Sequence, residues 1–163
     1  MKKMTALVAV ACAAWSIGAS ADGIGVVDMK MIFTTSPKVK AIKANLTKQF
    51  DPEKAKLEKM GNTLQADIAK YQKNKAVMSK DDMKKAQDSI TAEESAFRDA
   101  QTKFQQDVFN AQNKSLETFM GDVKAAVKVV ADKQKLDLVI PNNDVLFSKG
   151  DKDITKEVLE NLK

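Results

Sequence analysis

The chain has 163 residues, with 27 Lys and Arg against 22 Asp and Glu, a formal charge of +5, no His, one Cys and one Trp. Without imidazole, and with a single thiol, it lacks the commonest general bases, the usual zinc and copper ligand sets and any internal disulfide. Catalysis and metal binding are therefore poor starting points, and a chain of this size must draw its stability from packing or assembly.

Residues 1–21 carry Lys2 and Lys3, an apolar run from Met4 to Ile17 and the small triplet Ala19-Ser20-Ala21. This is the three-part pattern of a secretory signal, with the cut predicted after Ala21 and the mature protein exported across a membrane. The run is shorter than the roughly 18 residues that span a bilayer, and no later stretch approaches that length, so no transmembrane helix is predicted. Cys12 as a lipid attachment site is the weaker alternative, because Ala9-Val10-Ala11 is a poor approach to such a cysteine. Cleavage after Ala21 removes Cys12, Trp15 and two lysines, which lowers the charge from +5 to +3.

Ile24-Gly25-Val26-Val27 opens the mature chain as a short β-prone run, apolar on both faces as a strand covered on both sides would be. A small helix follows from Met29 to Thr34. Pro37 suits the first position of a longer helix, and from there Val39, Ile42, Leu46, Phe50, Leu57, Met60, Leu64, Ile68 and Tyr71 form one narrow stripe. Asp51-Pro52-Glu53 interrupts it. Pro52 removes a backbone hydrogen bond and Asp51 can cap a restarted helix, so a kink or short break is expected there. Ser79, followed by Asp81 and Asp82, is an N-cap signal for a second arm. That arm's stripe runs through Met83, Ala86, Ile90, Phe97, Ala100, Phe104, Val108, Ala111, Phe119, Val123, Val127 and Val130, with Glu93 and Ser115 at two stripe positions. Its spacing passes between seven- and eleven-residue repeats, which predicts weak supercoiling.

Leu136 to Ile140, stopped by Pro141, reads as a second strand, Val145-Leu146-Phe147 as a third, and Thr155 to Leu162 as a terminal helix. The fold class is α+β, mainly α: a long antiparallel coiled-coil hairpin at 37–133, with its tip near 75–79, rising from a small body made of 22–36 and 134–163. At about 1.5 Å per residue the arms reach roughly 58 and 82 Å. The body is smaller than the roughly 60 residues at which a lone core is already marginal, so it is expected to close its core against copies of itself. Ile24, Val26, Val27, Leu136, Leu138 and Ile140 are the candidate oligomerisation residues.

Two surfaces are candidates for binding. Lys70, Lys73, Lys75, Lys80, Lys84 and Lys85 gather near the tip against Asp81 and Asp82, which favours acidic polypeptides or an anionic lipid surface, or is simply a solvated turn. Phe109 and Met120 lie just off the stripe, where aromatic and flexible side chains suit variable apolar partners; the alternative is that they complete the seam. There is no aromatic interleaving of the kind that stacks bases, so nucleic acid is not an expected partner. No Gly-rich phosphate loop is present, and Gly150-Asp151-Lys152-Asp153 lacks the ligand spacing of a calcium loop and reads as a turn before a helix. No cofactor and no catalytic residue is nominated.

Ile24-Gly25-Val26-Val27-Asp28-Met29 leading to Phe33, the stretch Val123 to Ala131, Leu136-Asp137-Leu138-Val139 and the tail Lys152 to Leu159 together resemble the OmpH family of periplasmic chaperones. Leu64-Gln65-Ala66 and the pair Phe97 and Phe104 fit as well. The resemblance implies a homotrimer with a small β-barrel body and three helical arms around a cavity. It also implies an ATP-independent holdase that takes unfolded outer-membrane proteins after export and delivers them towards the outer membrane. The family's basic lipopolysaccharide-binding stretch is not carried over, because the matching region, Gln101 to Gln112, has Lys103 as its sole basic residue. Two other readings fit the pattern alone: an exported coiled-coil spacer or assembly subunit, and a membrane-surface protein docked through its basic tip.

Overall fold

A computed structural model describes residues 23–147, 149–150 and 152–162; the predicted signal at 1–21 and the alternative at Cys12 lie outside the described residues. Strand β1 is Ile24–Val27, followed by α1, Met29–Thr35. Two long helices come next, α2 from Pro37 to Asn74 and α3 from Lys80 to Gln134. Strand β2, Leu138–Pro141, a short 3-10 turn at Asn142–Asp144, strand β3 at Lys152–Asp153 and helix α4, Thr155–Asn161, complete the order.

The small sheet is parallel, in the order β2-β1-β3. Ile24, Gly25, Val26 and Val27 pair with Leu138, Val139, Ile140 and Pro141, while Gly25 and Val26 pair with Lys152 and Asp153 on the other side. Gly25 suits this crowding, since a Cβ there would lie 2.7 Å from a methyl of Leu136, which would have to turn aside. Pro141, which cannot donate to a ladder, stands at the end of an edge strand, where it costs least. Parallel strands need long crossovers, and here the arms themselves supply one of them.

At the foot of the arms β1, α1, α3 and α4 share one core of Val27, Ile32, Phe119, Val123, Ala126, Val130, Ile154, Val158 and Leu162. Phe119 is its largest fully buried side chain and meets Phe33 at a centroid distance of 5.1 Å, tilted by 54°. Polar groups knit the same region. Asp28 caps α1 by accepting from the Met31 N–H at 2.8 Å, and its own N–H donates to the Thr155 hydroxyl at 2.8 Å. Ile154 N–H donates to the Val26 carbonyl at 2.9 Å.

Helices α2 and α3 run antiparallel, with Lys38 beside Asp122, Phe50 edge-on to Phe104 and Gly61 beside Phe97. The Ser79 cap forms as the sequence predicts, its hydroxyl accepting from the Asp82 N–H at 3.1 Å. At the other end α3 stops on Lys135, whose left-handed backbone (φ 58°, ψ 41°) reverses the chain, with the Leu136 N–H donating to the Ala131 carbonyl. This cap occupies Leu136 and Asp137, so β2 starts two residues later than the apolar run suggests.

Two expectations are corrected. The helix does not break at Asp51-Pro52-Glu53; α2 is continuous from Pro37 to Asn74 with Pro52 inside it. Proline's fixed φ is already helical, and Phe50, buried against Phe104, anchors the turn before it. Nor is Val145-Leu146-Phe147 a strand; the third strand is Lys152–Asp153, and Leu146 and Phe147 project into solvent. A strand needs a ladder partner, and within this chain β1 already has both of its edges occupied. Replacing Phe119 by Ala should lower unfolding free energy by about 3–5 kcal/mol, read as a fall in the urea midpoint, because it opens a cavity at the junction of four elements.

Candidate functional site

No enclosed pocket dominates the described residues; what the fold offers is surface, in three places. The first is the sheet and its surroundings. Val26 and Val27 are buried, Leu136 and Ile140 are half-buried, and Ile24 and Leu138 are exposed, so the predicted oligomerisation residues split between core and surface. A groove of about 450 Å³ runs beside them, lined by Met120, Val127, Ala131, Leu138, Val139 and Pro141 among others, with Lys124 and Lys128 on its rim. Leu146 is fully exposed and Phe147 is 83% exposed. For one chain this is a costly display: large apolar side chains standing free forgo about 1.5–3 kcal/mol each.

The second place is the flank of α3. Phe109 is 62% exposed and faces away from the seam, whereas Met120 is half-buried and reaches the groove. Leu116 is also exposed. Phe109, Leu116 and Met120 follow one another at steps of seven and four, so they lie on one face of α3, sideways to the seam. Leu116 fits this spacing but is obscured in sequence by the stronger seam stripe, whose positions Ser115 and Phe119 flank it.

The third place is the tip. Lys70, Lys73, Lys75, Lys80, Lys84 and Lys85 are all exposed around the turn between α2 and α3. Lys70 borders a groove of about 280 Å³ between the helices, together with Asp67, Tyr71, Met78, Ile90 and Glu93. Glu93, at its seam position, accepts from the Ser89 hydroxyl at 3.1 Å through one oxygen, and the other oxygen is buried without a partner. Among the described residues no cluster of three His, Cys, Asp or Glu side chains is placed to hold a metal ion, and no helix is long and apolar enough to cross a membrane.

The model of the family described as Outer membrane protein (OmpH-like) matches residues 23–162, which is nearly all that the structure describes. The chain belongs to the OmpH family. A protein named Chaperone protein Skp from Pectobacterium atrosepticum is 31% identical over 144 residues, covering 88% of this chain and 87% of that one. The Chaperone protein Skp of Escherichia coli K12 is 29% identical over 164 residues, with both chains covered in full. Among solved structures, an OmpH-like outer membrane chaperone from Caulobacter crescentus superimposes with a TM-score of 0.77 at 19% identity, over 89% of this chain and 86% of that one. The OmpH fold thus comprises here the long helical pair and the small sheet, with the candidate surfaces spread over both.

The foot of the arms has a pH-dependent fastening. Asp153 accepts from the Thr155 hydroxyl at 2.6 Å and from the Thr155 N–H at 2.9 Å, and these bonds, the hydroxyl's first, hold its carboxyl below the ordinary range. A folded pKa below the unfolded one stabilises above the unfolded value, near 3.9, and the gain is lost as pH falls through the depressed value. Asp153→Asn should therefore lower the urea midpoint at pH 7, and the gap from the unsubstituted protein should narrow at acid pH, as the pH falls below the ordinary carboxylate value and through the depressed one. An equal gap at both pH values would assign the effect to packing instead.

Proposed function

We propose that this protein is an ATP-independent periplasmic holdase that binds unfolded outer-membrane proteins after export, prevents their aggregation and aids their delivery to the outer membrane. The observation that carries this reading is membership of the OmpH family, with relatives named Chaperone protein Skp matched from end to end. The geometry agrees with it in kind. A holdase needs a large accessible surface rather than a catalytic cleft, and two helices of 38 and 55 residues, packed beyond the foot largely against each other, supply that. Binding is then the sum of many weak contacts on one client, so avidity replaces a tight site. By occupying the unfolded state, such a protein withdraws it from aggregation by mass action.

In this reading the lysines at 70, 73, 75, 80, 84 and 85 draw in acidic polypeptide or an anionic lipid surface, with an attraction that salt weakens. Phe109, Leu116 and Met120 contribute apolar contacts nearer the foot. The signal at 1–21 is removed after Ala21, residues 37–133 act as the arm, and 22–36 with 134–163 act as the body. A stoichiometric amount of the mature protein should suppress light scattering when a urea-unfolded β-barrel membrane protein is diluted into buffer. Undiminished scattering would remove the holdase reading.

The body assembles, on this proposal, as a homotrimer whose strands complete a small barrel. The exposed Ile24 and Leu138, the groove beside β2 and the projecting Leu146 and Phe147 support it, because a neighbouring copy would cover all of them. Val145-Leu146-Phe147 then becomes a strand only against a second chain. Sedimentation equilibrium should give three times the chain mass, and replacing both Leu146 and Phe147 by Asp should shift the population to smaller species. A monomeric unsubstituted protein would contradict the assembly.

A further inference from the structure

The two helices of the arm are unequally built. Between Lys80 and Met120 α3 contains neither Gly nor Pro, and it is braced by its own ion pair, Lys103 to Asp107 at 2.7 Å. Over the facing stretch α2 contains both. Pro52 leaves the Lys48 carbonyl without its helical donor. Gly61, also inside α2, lacks any packing reason for being glycine: a Cβ there would sit 3.5 Å from the Phe97 ring, an ordinary contact. A helix-interior glycine costs about 1 kcal/mol relative to alanine, and here nothing on the opposite helix demands it.

The seam does not compensate for this weakness. Phe50, edge-on to Phe104, is the sole buried residue of α2, and it lies just on the foot side of Pro52. From Leu57 to Tyr71 every α2 seam residue is only half-buried. Among the described residues the ion pair that joins α2 to α3 is Lys38 with Asp122, at the foot. Open grooves flank the same stretch on both sides, one lined by Glu53, Leu57, Met60 and Phe104, the other by Leu57, Gly61, Phe97 and Gln101.

We infer that the arm opens one-sidedly: α2 unwinds and lifts between Pro52 and Gly61 while α3 stays helical as a continuous spine, which uncovers Leu57, Met60, Phe97 and Phe104. The seam is then a second, hidden apolar surface, available to an unfolded chain only in the opened arm. That last step rests on the holdase reading; the one-sided opening does not. Few buried contacts and local helix breakers are the features that place a segment at the low end of local stability.

Hydrogen exchange on the full mature protein, followed by mass spectrometry of peptides, tests the opening. Amides at 53–64 of α2 should exchange at least tenfold faster than those at 97–108 of α3, although both line the same seam. Gly61→Ala should slow the α2 peptides about fivefold, the factor equivalent to the glycine penalty of about 1 kcal/mol. Gly121→Ala, at a site in α3 where a Cβ meets nothing within 4 Å, should leave them unchanged. Equal exchange in the facing peptides, or no response to Gly61→Ala, would overturn the inference. Client capture is read separately by light scattering. A smaller holding capacity for Gly61→Ala than for Gly121→Ala supports the hidden surface, and equal capacities overturn it. Failure of the unsubstituted protein to hold any client would sink the holdase reading while leaving the exchange comparison intact.

Discussion

Strand β1 is the contact on which the rest depends. It is four residues long, yet it carries β2 on one edge and β3 on the other, and its end passes directly into the Asp28 cap that is tied to Thr155 across 127 residues. Closing an unstructured loop of that length costs about 4 kcal/mol in chain entropy, about as much as one short ladder returns net. The antiparallel arms lower that cost, because zipping α2 along α3 brings Thr35 and Gln134 to the same end before any strand pairs. The body is thus conditional on the arms. The reverse also holds: apart from Phe50, the seam residues of the arms are buried only where α3 enters the body, at Phe119, Val123, Ala126 and Val130.

How much of this was legible in the sequence follows from how local each determinant is. Helix ends set by single residues, Pro37 and Ser79, and stripes with a sustained period were readable because the information sits within a few turns. Of the kink or short break expected at Pro52 the break does not occur, because a proline's φ is already helical and Phe50, packed on Phe104, anchors the turn before it. Val145-Leu146-Phe147 was over-read for a different reason. Its strand-like composition is real, but pairing is a property of two segments, and both edges of β1 are taken by Leu138–Pro141 and Lys152–Asp153. A two-residue strand such as β3, made of Lys and Asp, has no apolar signature at all.

The candidate surfaces were legible to differing degrees. The tip lysines are close in sequence, so any hairpin brings them together. Phe109 and Met120 could be named as off-stripe residues, but the sideways face that joins them through Leu116 emerges only once the direction of the seam is fixed. The hidden weakness of α2 needed the structure, since a glycine facing Phe97 with room for a methyl group looks in sequence like any other glycine.

The Lys38 to Asp122 pair and the Phe33 to Phe119 stacking at the foot have a mechanical meaning beyond their energy. The stacking joins α1 to α3 and so bears on the angle at which a rod of 38 residues, about 57 Å long, leaves its base, while the ion pair locks α2 to α3 there. A turn of about 10° at that joint carries the lysine-rich end through roughly 10 Å, two turns of helix. The reach of the protein is therefore decided where its side chains are most tightly packed, at the end of the arm farthest from the end that travels.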